Sequence, residues 1–160
     1  MRNRAVLKMT MTMHLTDLSI RDNRGWVVAL VEAKNPIDLT PEWAVEIMER
    51  ILTQSQLRGV RYLLVASQDW GYLRDLSVPN PPQSPNATRF DMRPIIEAYT
   101  RAAPPSRRLR HEELKLTLFQ WLLDMTLGGQ TEWRPSADTP EVQSFVRDIE
   151  GGSVSMEDWE

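Results

Sequence analysis

Asp17, Glu32 and Lys34 are the residues whose types and spacing could do chemistry together. Glu32-Ala33-Lys34 closes the apolar run Val27-Val28-Ala29-Leu30-Val31, and Asp17 stands upstream across a hairpin signal, Asp22-Asn23-Arg24-Gly25. Side chains alternate along a strand, so Glu32 and Lys34 share one side and Ala33 takes the other. With Arg24-Gly25 at the centre of the turn, Asp17 pairs across from Glu32. Two carboxylates and an ammonium then converge on one patch of one sheet face, a set suited to a divalent cation and a water molecule. A strand buried on both faces is normally apolar throughout, so an acid and a base at its end need a reason.

The elements that must position them follow from periodicity. From Ala5 to Leu15 the odd positions are apolar and the even positions from Lys8 are Lys, Thr, Thr and His, a strand with one apolar face. Asp17 continues the odd series, placing a carboxylate where an apolar residue is expected; buried there, it needs a lysine, a metal or hydrogen-bond donors. Leu18 and Ile20 allow the other phase, in which a bulge near Thr16 turns Asp17 to solvent. After Lys34, Asn35-Pro36 signals a loop, and Thr40-Pro41 supplies a helix cap and first turn. Trp43, Ala44, Ile47, Met48, Ile51 and Leu52 form the apolar stripe of a helix over residues 41–58. Residues 60–66 read as a buried strand and 71–76 as a short one. Four prolines between Val78 and Pro85 exclude regular structure there. A short helix starts at Pro94, a long one runs over 111–127 to Gly128-Gly129, and another over 140–149.

This order of Thr16-Asp17, hairpin, Glu32-Ala33-Lys34, helix and strand resembles the PD-(D/E)xK superfamily of restriction-endonuclease-like nucleases over roughly residues 5–76. The resemblance implies an α/β fold with a mixed central sheet flanked by helices. It also implies that Asp17, Glu32 and the Ala33 backbone carbonyl hold Mg²⁺ or Mn²⁺, and that Lys34 orients or activates the attacking water. The implied activity is metal-dependent phosphodiester hydrolysis on nucleic acid, with DNA favoured. Gln54 and Gln56, on the following helix, are the accessory positions it suggests. Two features depart from the pattern: Thr16 stands where the motif has proline, and residues 1–16 contain no acid to match the further carboxylate many members carry. That second departure supports the alternative, a catalytically inactive nuclease fold that binds a protein or nucleic acid.

Composition bounds the rest. The chain has 160 residues, 41% hydrophobic and 26% charged, which suits one globular domain over residues 1–150. An acidic stretch at 151–160 is expected to be disordered. No cysteine is present, which excludes disulfides and zinc–thiolate sites. No apolar stretch approaches the ~20 residues that span a bilayer, and no signal-peptide pattern opens the chain, so no membrane association and a cytoplasmic location are expected. A homodimer or a protein partner is the further association left open.

A net charge of −3 argues against a surface coated for nucleic acid, but Arg101, Arg107, Arg108 and Arg110 form a local run without an acid. With Arg2 and Arg4 they are the candidate phosphate contacts. The two histidines read differently: His14, three residues before Asp17, could support the site, whereas His111 opens a helix among arginines and is assigned no chemistry.

Overall fold

The computed structural model describes residues 16–54, 59–78, 87–100, 108–128 and 139–156. Six strands form one mixed sheet: β1 (Leu18–Arg21), β2 (Val27–Ala33), β3 (Tyr62–Ala66), β4 (Trp70–Asp75), β5 (Thr88–Asp91) and β6 (Ser153–Met156). Helices α1 (Pro41–Gln54), α2 (Arg93–Thr100), α3 (His111–Thr126) and α4 (Pro140–Ile149) cover its faces. The strand order is β5-β4-β3-β2-β1-β6, with β2 and β3 parallel and every other neighbouring pair antiparallel. The α/β class and mixed sheet expected from the sequence are therefore present.

Alternation along the strands divides the core into two. Leu18, Ile20, Ala29, Val31, Ala33, Tyr62 and Leu64 pack with Leu114, Leu118, Trp121 and Leu122 of α3 and with Val142 and Phe145 of α4. Leu63, Val65 and Tyr72, pointing the other way, pack on Ala44, Ile47, Met48 and Ile51 of α1. The apolar stripe of α1 is as the sequence predicts, except that Trp43 lies at its margin and is exposed. Thr40 caps the helix, its hydroxyl accepting the Trp43 N–H at 3.1 Å.

The β1–β2 hairpin sets the register that matters. Its turn is centred on Asn23-Arg24, one residue earlier than the sequence suggests. The Gly25 N–H donates to the Asp22 carbonyl, the Asp22 N–H to Trp26, and Gly25 takes the left-handed φ of 87° that glycine tolerates best. Gly25, an extra residue between Asp22 and its partner Trp26, and an irregularity between Ile20 and Arg21 together compensate for the shift. Leu18 therefore pairs with Val31 and Ser19 with Leu30, and the same register continued by one residue sets Asp17 opposite Glu32.

Two elements differ from expectation. Residues 153–156 are not a disordered tail: they form β6, pairing antiparallel with the whole of β1. Backbone hydrogen bonds to an open sheet edge order this segment despite its weak apolar content. Thr88–Asp91, unremarked in the sequence because it is short and polar, forms the opposite edge. The strand expected before Thr16 and the acidic end beyond Met156 lie outside the described residues.

Gly71 on β4 pairs directly with Phe90 on β5, and the Phe90 ring lies where a Cβ on residue 71 would go. Phe90 in turn packs against Trp121, ring centroids 6.3 Å apart. Gly71→Ala should therefore force Phe90 off the sheet and lower the unfolding free energy by about 1–3 kcal/mol, read as an earlier urea midpoint. An unchanged midpoint would show that the ring can shift without cost.

Candidate active site

Asp17 ends the β1–β2 ladder with its side chain in place of a backbone carbonyl. The Ala33 N–H donates to Asp17 Oδ2 at 2.8 Å, on the edge of β2 that faces β1. The next residue points the other way: the Lys34 N–H donates to the Ala66 carbonyl on β3 at 2.9 Å. Within a strand residue the N–H and C=O leave on the same edge, so the Ala33 carbonyl faces the Asp17 side. Leu18 and Ile20 face the core, as in the second of the two phases the sequence allowed, yet Asp17 is not turned to solvent: it stays against β2, partly buried.

The two acids meet. Asp17 and Glu32 lie close enough to interact directly, and two carboxylates so placed favour holding one proton between them. Burial, the bond to Asp17 and the negative charge of Asp17 push Glu32 up to about 9, against the opposing charges of Lys34 and Lys115. For Asp17, burial acts upward, but it is outweighed by hydrogen bonds from Glu32, Ala33 and His111 and by the His111 charge, and its pKa is lowered. The pair thus carries a proton on Glu32 and a charge on Asp17 across the neutral range.

Two basic side chains that the sequence left unassigned reach this pair from α3. His111 Nε2 lies 3.1 Å from Asp17 Oδ1, and Lys115, almost fully buried, acts electrostatically on Glu32. They are four residues apart on the first turns of one helix and so share a face, the signal that could have drawn them together. Arg110 and Glu113 form the capping box of α3, and the positive end of the helix beside Asp17 favours its ionised form.

A polar clasp holds the surrounding loops. Asn35 Nδ2 donates to the Gln68 side chain and to the Leu109 carbonyl (2.7 Å), and Asn35 Oδ1 accepts the Gln68 N–H and Arg108 Nη2. Gln68 Oε1 accepts the Leu109 N–H at 2.7 Å. Arg108 also donates to the Pro36 carbonyl and pairs with Asp69. The segment after β2, the turn after β3 and the approach to α3 are thereby joined, fixing Lys34 and His111 relative to the acids. These contacts run through loops far apart in sequence, so no local pattern announces Asn35 or Gln68.

The remaining candidates scatter. Lys34 is exposed at the end of β2, and its charge acts on Glu32. Gln54 is exposed at the far end of α1. That helix starts beside the C-terminal end of β2 and runs back to the start of β3, roughly 20 Å by helix rise. Gln54 is therefore at the opposite end of the sheet from Glu32, which corrects its accessory placement. Arg108 belongs to the clasp, and Arg110 is exposed while bonded to Glu113 at 3.2 Å. Gln56, Arg101, Arg107, His14, Arg2 and Arg4 lie outside the described residues.

Asp17 presents about four lone-pair sites and engages three partners: Ala33, Glu32 and His111. Replacing the shared proton by a cation would leave both acids and the Ala33 carbonyl as hard oxygen donors. Among the described residues no group of three or more His, Asp or Glu side chains could cage a metal. Two carboxylates and a carbonyl nevertheless fit Mg²⁺, which commonly keeps several waters and takes one or two protein carboxylates. No helix of the described residues is long and apolar enough to cross a membrane. No protein-family model matches the chain, and no curated protein or solved structure is significantly similar to it.

Proposed function

We propose that this chain is a metal-dependent phosphodiesterase acting on nucleic acid, DNA in preference, built on a restriction-endonuclease-like core. The observation that carries the reading is the convergence of Asp17 and Glu32 at the end of a buried strand, beside Lys34. Two acids drawn together, with His111 on Asp17 and the Lys34 and Lys115 charges on Glu32, form an oxygen-rich site that a cation could occupy in place of a proton. Asp17, Glu32 and the Ala33 carbonyl would hold Mg²⁺ or Mn²⁺. Bound there, the ion would supply Lewis acidity toward a phosphoryl oxygen. Lys34, exposed at the mouth, is placed to orient the attacking water and to offset negative charge on the phosphorus. His111 holds Asp17 in position, and Lys115 moderates the cost of ionising Glu32.

The experiment is calorimetric. Around pH 7.5 Glu32 still carries its proton, so Mg²⁺ binding should release about one proton per ion. The apparent binding heat should then depend on the ionisation enthalpy of the buffer. Titration of full-length protein with Mg²⁺ or Mn²⁺ in two buffers measures it directly. Absence of metal binding up to tens of millimolar would remove the enzymatic reading.

The competing reading is a nuclease fold that binds without cutting. Its support is His111, which occupies Asp17 Oδ1, together with the lack of any acid in residues 1–16. Metal binding with proton release favours the enzyme; a site that stays protonated in millimolar Mg²⁺ favours the binding module.

A further inference from the structure

A cleft of about 590 Å³ opens between the loop Ile37–Pro41 and the start of β4, with Trp70, Tyr72, Arg89 and Arg93 among its walls. That is ample for one nucleotide, since small-molecule sites commonly run to several hundred Å³. Arg89 dominates it. Its guanidinium lies over the Trp70 ring at 4.1 Å from the centroid, and Arg93 approaches the same ring at 5.9 Å. The Tyr72 hydroxyl, which donates to the Leu39 carbonyl at 2.8 Å, also bonds Arg89.

Several arginines in the fold pair with neighbouring acids, although Arg21, Arg24, Arg50 and Arg147 do not form such an ion pair among the described residues. Arg61 pairs with Asp75 and Asp148, Arg74 with Glu49, Arg93 with Asp91 and Arg108 with Asp69. Arg89 has no carboxylate partner among the described residues, yet stacking and a phenol hold it in one orientation. A guanidinium held over an aromatic ring keeps its charge and N–H donors, which suit a phosphate.

Register places this cation on a line with the acids. Glu32 pairs with Val65, Val65 with Tyr72, and Tyr72 with Arg89, so the four stand at one level of the same sheet face. Three interstrand steps separate Glu32 from Arg89, about 14 Å at the usual strand spacing. A nucleic-acid strand covers that span in a few nucleotides.

We propose that the Trp70–Arg89 cleft anchors a backbone phosphate, with its nucleotide, of the same nucleic-acid strand whose scissile phosphate lies at Asp17 and Glu32. This inference rests on the phosphodiesterase reading and gives it a substrate-positioning residue outside the acid pair. Asp69 and Asp38 also line the cleft. Asp69 is paired with Arg108, and Asp38, exposed, would repel a second phosphate and so limit the cleft to one.

The test uses the full chain in Ca²⁺, a cation that commonly supports binding without turnover, with a labelled oligothymidine followed by fluorescence anisotropy across a salt series. Arg89→Ala should weaken binding about tenfold and reduce the logarithmic salt slope by roughly 0.7. Arg89→Lys, which keeps the charge but cannot stack, should fall between the two. In Mg²⁺, Arg89→Ala should raise KM with kcat nearly unchanged, the mark of a positioning contact. Unchanged affinity and slope in Arg89→Ala would overturn the anchor, and with wild-type turnover intact it would fall alone. Arg89-dependent binding of thymidine monophosphate without any effect on the oligonucleotide would likewise overturn it, in favour of a free-nucleotide site. Failure of the catalytic reading looks different: no turnover of DNA or RNA by the wild type, while oligonucleotide binding still depends on Arg89.

Discussion

Asp17→Asn is expected to lower Mg²⁺-dependent cleavage of labelled DNA by roughly a thousandfold, with the fold retained. Asparagine keeps an oxygen for the Ala33 N–H, which Asp17 accepts at 2.8 Å, so the ladder between β1 and β2 stays capped. What it removes is the negative charge that His111 and the Glu32 proton stabilise. A neutral amide is a poor ligand for a hard divalent cation. Losing one electrostatic contact to the reacting group commonly costs two to three orders of magnitude. Lys34→Ala should also abolish most turnover, yet leave proton release on Mg²⁺ binding in place, because Lys34 acts on the water and not on the ion. Circular dichroism and a cleavage time course on both variants decide the matter. Wild-type rates in both would refute the assignment of Asp17 and Lys34.

Much of this was legible in the chain. The break in the alternating pattern at Asp17 and the acid and base after Val31 marked the place. The β1–β2 register followed from counting back from Gly25, although by offsetting shifts: the turn sits one residue early, and the extra loop residue Gly25 with an irregularity after Ile20 restores the pairing. The helix that starts at Pro41 followed from its cap and apolar stripe, and it is described to Gln54 of the expected 41–58. Hidden from it were contacts made across the sheet. His111 approaches Asp17 from 94 residues away, and Arg108 reaches Asn35 from 73 away. A run of arginines reads the same whether its members face phosphate or clasp a loop. Arg89 was hidden for the same reason, since only the β4–β5 pairing brings it to Tyr72 and Trp70.

Glu32→Gln should make the protein more stable than the wild type at alkaline pH, by roughly 2–4 kcal/mol at pH 9 relative to pH 5. Glu32 in the folded chain holds its proton up to about 9, far above the ordinary 4.5 of a glutamate. Between those values the native state binds a proton that the unfolded chain has released, so wild-type stability must fall as pH rises through that window. The slope cannot exceed about 1.4 kcal/mol per pH unit for one proton, and the water-facing side of the site reduces it. Asp17 works in the opposite direction and elsewhere: its lowered pKa contributes stability that is lost only as pH drops below the ordinary carboxylate range. Glutamine cannot titrate, and its amide still donates to Asp17, so the variant's curve should fall much less than the wild type's from pH 5 to 9. Urea midpoints across that range give the comparison. Parallel curves would mean that Glu32 ionises normally and that no proton is shared. Millimolar Mg²⁺ should rescue the wild type at pH 9 by taking the proton's place between the acids, and should do little for Glu32→Gln. That contrast links the stability curve to the metal site, because one carboxyl group governs both.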